Sequence, residues 1–360
     1  MTKLMKKMSA VLLTGVFMAV TAGCGQTAQN GQNGTQSSTQ AENVTAYAAD
    51  TESQNSQTAA QKMDVKVAAM KGPTAIGMVQ MMKNAADRTA KNNYEFTITG
   101  TADEFTANLI KGDIQIAAVP ANLAANLYHK SNGKIQVMGI NTLGVLYILE
   151  NGDTIQKVAD LKGKTIYATG KGTTPEYTLR YLLKSAGINP DQDVTIEFKS
   201  EATEVAALMA ATDKDVIAML PQPYVTTVMT QNDKVKIALD VTEEWNKLAG
   251  ADSTVVTGVV AVNADFAQKN PEVIKQFMEE YQNSANYVNA NVEAAAQLVE
   301  QFDIFKAAVA QKAIPYCNIT FINGAEMKTK LNSYYQVLFD ENPASIGGAM
   351  PADAFYYMAK

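Results

Sequence analysis

Histidine, cysteine and arginine are almost missing from this 360-residue chain, which holds one His (His129), two Cys (Cys24 and Cys317) and two Arg (Arg88 and Arg180). A single histidine leaves no spare base for a Ser/His/Asp or Cys/His triad unless His129 serves. Two distant cysteines exclude a CxxC redox pair, a disulfide framework and Cys- or His-rich metal centres. No metal, no cofactor and no enzymatic activity are therefore expected. Positive charge is also short, with Lys+Arg 30 against Asp+Glu 36 and a net charge of −6. Nucleic-acid binding needs clustered positive charge to neutralise phosphates, so no nucleic-acid partner is expected. No carboxylate pair stands at useful spacing: Glu243-Glu244 and Glu279-Glu280 read as solvated helix faces. The longest early apolar run, Ala10 to Val20, is too short to span a bilayer.

That run follows Lys3, Lys6 and Lys7 and precedes Thr21-Ala22-Gly23-Cys24. A basic start, an apolar stretch and small residues read as a secretory signal over residues 1–23. The residues before Cys24 resemble the bacterial lipobox, apart from Thr21 where Leu is usual. The resemblance implies a lipidated Cys24 and a membrane anchor on the extracytoplasmic face; an ordinary cleaved signal with an incidental cysteine is the alternative. Residues 24–62 are mostly Gln, Asn, Ser, Thr, Gly and Ala. So little apolar area cannot offset the entropy of ordering, so this stretch reads as a tether.

With 47% hydrophobic residues, the rest is long enough for two cores. Strand-like alternation at Val65-Val67-Ala69 leads into a helical stripe at Ile76, Val79, Met82 and Ala86. Tyr94-Phe96-Ile98, Ile114 to Val119 and Ile135 to Ile140 are further strands with helices between them. The order is βαβαβαβ, the signature of a doubly wound, mostly parallel sheet. It recurs after Thr142-Leu143-Gly144, with strands at 145–149, 165–169, 194–198, 216–220 and 235–239. Thr254 to Val262 reads as a strand crossing back. Asn270-Pro271-Glu272 opens a long helix striped by Ile274, Phe277, Tyr281, Ala285 and Val288. The remainder, to Lys360, reads as helical. The expected fold class is α/β: two doubly wound lobes joined by a two-crossing hinge, with a helical C-terminal extension. Residues 63–145 plus 254–360 form lobe 1 and 146–253 form lobe 2.

Open α/β sheets bind ligands beyond the carboxyl ends of their strands, where helix N-termini point. Five loops lie there: Lys71-Gly72-Pro73-Thr74, Gly100-Thr101, Val119 to Asn122, Gly170 to Glu176, and Pro221-Gln222-Pro223-Tyr224. The candidate ligand-binding residues are Lys71, Gly72, Pro73, Thr74, Thr101, Asn122, Thr142, Gly170, Lys171, Gly172, Thr173, Thr174, Gln222 and Tyr224. Ordinary βα turns use the same residue types for geometry. In Gly170 to Glu176, two glycines let the backbone approach a guest, and Thr174 reads as the N-cap before Pro175. Exposed N–H groups and the positive helix end there favour an anion or a carbonyl oxygen. The spacing is neither GxxxxGK[ST] nor GxGxxG, which argues against a nucleotide. Lys71 and Lys171 either neutralise an anionic guest or stand solvated. Tyr224 and Trp245 either wall the cleft or pack in a core. His129 reads as an exposed or capping residue and Cys317 as a buried inert thiol.

Taken in order, these elements resemble the type II periplasmic-binding-protein fold of ABC-importer substrate-binding lipoproteins, in the nitrate/sulfonate/taurine branch that also takes thiamine-precursor pyrimidines. The resemblance rests on Asp160-Leu161-Lys162-Gly163-Lys164 before a strand, on Gly170 to Glu176 with Leu179-Arg180-Tyr181-Leu182-Leu183, on Leu220-Pro221-Gln222-Pro223-Tyr224, on Ala102 to Ala121 and on Asn270-Pro271-Glu272-Val273. It implies a monomer that closes over a small molecule (an anion, a sulfonate or a pyrimidine-like compound) and docks on an importer permease with its ATPase. A sensory binding module is an alternative. An enzyme related to pyrimidine synthase is another, set against by the single histidine. No residue set singles out one ligand.

Overall fold

The computed structural model describes residues 62–249 and 253–358. The signal, the lipidation of Cys24 and nearly all of the tether lie outside the described residues. The first lobe opens with β1 (Asp64–Met70), α1 (Pro73–Ile76), α2 (Val79–Ala86), β2 (Asn93–Thr99), α3 (Asp103–Lys111), β3 (Ile116–Pro120), α4 (Ala121–Lys130) and β4 (Ile135–Thr142). The second holds β5 (Leu146–Asn151), β6 (Thr165–Ala168), α5 (Thr174–Ser185), β7 (Thr195–Phe198), α6 (Ala202–Ala211), β8 (Ile217–Pro221), α7 (Tyr224–Gln231), β9 (Val235–Asp240) and α8 (Val241–Ala249). The chain then returns through β10 (Gly258–Asn263), α9 (Ala264–Lys269), α10 (Pro271–Ala290), α11 (Val292–Gln301), α12 (Ala307–Ala313), β11 (Ile319–Ile322) and α13 (Gly324–Glu341).

Two sheets result, ordered β11-β4-β10-β3-β1-β2 and β7-β6-β8-β5-β9. In the first, β1 pairs in parallel with β2 and β3, and β10 lies antiparallel between β3 and β4. In the second, β6 pairs in parallel with β7 and β8, and β5 lies antiparallel between β8 and β9. Each sheet thus takes in, at the same place, the strand that arrives from the other lobe. The α/β class, the two sheets and the helical C-terminal region agree with expectation.

The differences are local. The stripe from Ile76 to Ala86 does not form one helix; it breaks at Gly77-Met78. A Cβ on Gly77 would lie 3.1 Å from Tyr281 Oη and 3.2 Å from Ile319 Cγ2, so α10 and β11 press on the chain where its residue is a weak helix former. The returning strand begins at Gly258, not Thr254, and the helical reading of the C-terminal region misses β11, too short for periodicity to reveal. The α10 stripe holds: Ile274, Phe277, Tyr281, Ala285 and Val288 are all buried.

The lobes are joined by more than their crossings. One apolar cluster holds Ile140 and Val259 of the first sheet, Ile166 and Met219 of the second, and Tyr334 and Leu338 of α13. Tyr335 Oη donates to Ala121 O at 2.7 Å, and Tyr334 Oη meets Thr178 Oγ1 at 3.2 Å, so α13 grips α4 and α5 together. Trp245 is fully buried against Tyr181 and Tyr334; it belongs to this core and not to a cleft wall. At the first crossing, Asn318 O accepts from Leu143 N and Asn318 Nδ2 donates to Gly144 O. Gly144 has no room for a side chain, since a Cβ would sit 1.9 Å from Thr242 Oγ1.

Candidate functional site

The carboxyl ends of the parallel strands in the two sheets face each other and touch. Asn122, at the start of α4 beyond β3, donates through Nδ2 to Gly172 O at 3.2 Å, beyond β6. Its Oδ1 accepts from Thr174 Oγ1 at 3.2 Å. At the β2 and β7 edges, Glu201 lies against Gly100 so closely that a Cβ there would be 2.8 Å from Oε1. Asn122 is fully buried and also donates to Ser345 O, tying the segment after α13 into the same junction.

Of the predicted residues, the structure brings Asn122, Gly172 and Thr174 into direct contact across the lobes. Gly170 and Gly172 have φ of 73° and 75°, the left-handed backbone that glycine allows without penalty. Thr174 is not the N-cap: that residue is Thr173, whose hydroxyl donates to Gly170 O at 2.7 Å, while Thr174 begins the helix. Lys171 is exposed and Lys71 half-buried. Gly72, Pro73 and Thr74 sit beside the first sheet, where Thr74 Oγ1 donates to Met70 O at 2.9 Å. Gln222 and Tyr224 lie elsewhere. Gln222 Oε1 accepts from the N–H and hydroxyl of Thr226, and its side chain lines a groove of about 560 Å³ with Met229, Ile237, Lys312 and Tyr316. Tyr224 packs edge-on against Phe305 at 5.0 Å; burial, with the Glu201 charge nearby, pushes its phenol up to about 12, so it stays neutral. His129, half-buried, donates from Nε2 to Ala349 O at 2.9 Å.

At two of these helix ends a backbone N–H is taken within the chain. Gly172 N donates to Glu176 Oε2 at 2.6 Å, and Thr101 N donates to Glu104 Oε1 at 3.1 Å. Each end already holds a carboxylate from its own first turn, which satisfies that N–H. At α4 the Ala121 N–H is taken by Thr257 O. Arg180 binds Asp191 through two contacts of 2.7 and 2.8 Å and lies 3.9 Å from Glu176, the carboxylate held at Gly172.

A different set of polar groups is left over. Among the described residues, three buried side-chain atoms have no hydrogen-bond partner in the protein: Asn141 Oδ1, Thr142 Oγ1 and Thr257 Oγ1. Strand register unites them, because Gly258 pairs with Thr142 and Thr257 N donates to Thr142 O at 3.1 Å. Gly258 is needed because the place is crowded: a Cβ there would lie 2.6 Å from Asn141 Oδ1 and 3.0 Å from Thr74 Cγ2. Asn141 Nδ2 donates to Tyr281 Oη at 3.0 Å, which leaves its oxygen free. Each such atom costs about 1–3 kcal/mol of folding stability. The sequence points to Thr142 but not to Asn141, Thr257, Tyr281 or Glu201. No motif marks them; only the pairing of β10 with β4 and the approach of the second lobe assemble them.

Residues 134–295 match the NMT1/THI5-like family model. A Brucella abortus protein named as a binding protein is 25% identical over 207 residues, covering 56% of this chain and 62% of its own length. The match therefore spans less than two thirds of that relative. Among solved structures, an ABC transporter protein from Parabacteroides distasonis superposes with a TM-score of 0.68 at 21% identity, covering 83% of this chain and 100% of its own. The periplasmic aliphatic sulphonate binding protein of Escherichia coli gives 0.66 at 17% identity, covering 83% and 94%. The fold is that of type II periplasmic binding proteins, and the likeness to the nitrate/sulfonate/taurine branch read from the sequence is borne out.

Proposed function

We propose that this chain is an extracytoplasmic solute-binding protein, which captures a small molecule between its lobes and delivers it to the permease of an ABC importer driven by its ATPase. The observation that carries this reading is the Asn122 junction. One buried side chain bonds both lobes where the carboxyl ends of their strands meet, so the bonds exist only when the cleft is shut. A guest touching both walls favours that shut state, and the shut state is what a permease can recognise. The lobes are proposed as 63–145 plus 254–360 and 146–253. The loops Lys71 to Thr74, Gly100-Thr101, Val119 to Asn122 and Gly170 to Glu176, with Thr142, are their ligand-facing walls. The residues around Cys24 support a lipid anchor holding a monomer on the outer face of the cell membrane. The position of His129, bonded to the C-terminal segment, favours binding over catalysis.

Thermal shift of the full chain against small solutes tests the reading. A ligand at 100 times its dissociation constant adds about 2.7 kcal/mol, which raises the melting temperature by several degrees. Asn122→Ala is expected to weaken that ligand and keep the fold. No shift from nitrate, sulfonates, amides, pyrimidines or amino acids would count against solute capture. Cys24→Ser is expected to move the protein from the membrane to the soluble fraction, and unchanged fractionation would remove the lipid anchor.

A further inference from the structure

We infer that a groove at the seam of the two lobes is a further binding site, for a small carboxylate with an apolar body, apart from the four loops proposed as cleft walls. The groove, of about 560 Å³, is lined by Thr226 and Met229 of α7, Ile237 of β9, Lys312 of α12 and Tyr316 just after it. Its walls thus come from both lobes, and its volume is that of an ordinary small-molecule site.

The walls are apolar and open to solvent. Six large apolar side chains are exposed among the described residues, and three of them, Met229, Ile237 and Tyr316, line this one groove. Exposed apolar residues scattered singly are ordinary. Their gathering in one concave place marks a surface that another molecule covers.

The polar groups select the guest. Gln222 also lines the groove and is only 3% exposed. Both lone pairs of its Oε1 are taken by Thr226, from the N–H at 3.2 Å and from the hydroxyl at 2.8 Å. What this side chain offers a guest is therefore its Nε2 donor. Lys312, exposed, supplies the positive charge, and no acid lines the groove. An amide donor and an ammonium ask for an acceptor head with one negative charge, and the walls ask for an apolar body. An aromatic or branched carboxylate meets both demands, whereas a bare inorganic anion would leave the walls in water. Two donor groups match the two oxygens of a carboxylate better than the three of a sulfonate. Because the guest touches both lobes, it favours the arrangement in which α7 and α12 lie together.

Calorimetric titration of the full chain with benzoate, benzenesulfonate, benzamide and acetate tests the site. Benzoate is expected to bind. Benzamide, which lacks the charge, and acetate, which lacks the body, should bind about tenfold more weakly or worse. Lys312→Met should lower benzoate affinity about tenfold and leave benzamide unchanged. Met229→Ser combined with Ile237→Ser should weaken both aromatic probes. All three side chains are exposed, so these variants should melt close to the parent without ligand. Equal affinity for benzoate and benzamide would overturn the inference, as would tighter binding of benzenesulfonate. Benzoate binding untouched by either variant would put the acid elsewhere and overturn it too, with solute capture left standing. No benzoate binding would also overturn it, and solute capture would still be decided by its own panel of solutes.

Discussion

The two lobes share a strand order but not a construction. In the first, β4 and β10 are buried along nearly their whole length, and α2, α10, α11 and α12 cover one face. In the second, β7 alternates exposed and half-buried residues and β9 is exposed at its middle. One face of the second sheet merges with the first lobe through α5, α8 and α13. The other has a small core of its own, built from Met209, Leu220, Val225 and Val228. The first lobe is thus a platform and the second a thinner plate fixed to it mainly along one side, with Tyr224 against Phe305 as a smaller contact on the other. The contrast extends to polar groups, for the atoms left unpaired belong to the platform, where stability elsewhere can offset their cost.

The largest expected break in this contrast is Trp245→Ala. It removes the ring that joins α8 to Tyr334 and costs about 3–5 kcal/mol. Urea denaturation followed by circular dichroism should show both lobes losing stability in one transition. Two separated transitions would mean that α13 does not couple them. Met209→Ala should cost about 2–5 kcal/mol. Its effect should stay on that face, raising hydrogen exchange in α6 and α7 more than in β4 and β10; equal loss everywhere would erase the distinction between the faces.

Asn122→Ala is smaller, at about 1–2 kcal/mol, because Ser345 O keeps a bond from Asn126 Nδ2 and Gly172 is exposed to solvent. X-ray scattering should report a more open particle, and an unchanged profile would deny the residue its role as a latch. Glu150, at β5, sharpens the comparison by pH. Burial alone would raise its carboxyl, but hydrogen bonds from the Thr154 hydroxyl and the N–H groups of Thr154 and Ile155 outweigh burial and hold it below the usual range. A lowered folded value stabilises fully above the ordinary carboxylate range and is lost as pH falls through it. Stability should therefore decline below about pH 4, and less so in Glu150→Gln. Matching slopes for the two proteins would exclude Glu150 as the source. Last comes the half-exposed Lys184–Glu341 pair between α5 and α13. Its removal by Lys184→Ala should shift the urea midpoint by an equivalent of about 0–1 kcal/mol. A larger shift would make the seam between the lobes electrostatic.

Much of the fold was legible. Alternation at Val65-Val67-Ala69 and the α10 stripe are local patterns that survive into the structure because burial rewards them. Gly77 and β11 were not legible, since contact with a helix some 200 residues away decides the first and shortness hides the second. The candidate site was half legible. Its loops were placed at the carboxyl ends of strands, as topology requires, and Asn122, Gly172 and Thr174 do meet. Glu104 and Glu176 changed the meaning of two of those loops: three or four residues along a chain, a carboxylate can turn back on an N–H, and only coordinates tell whether it does.

By itself the sequence determined the fold class, because its periodicities spell two α/β lobes. Tertiary structure alone decided which polar atoms are spoken for. Hydrogen bonds saturate, so which groups are paired within the chain follows from contacts between distant segments, as Asn122 with Gly172 and Ser345 shows.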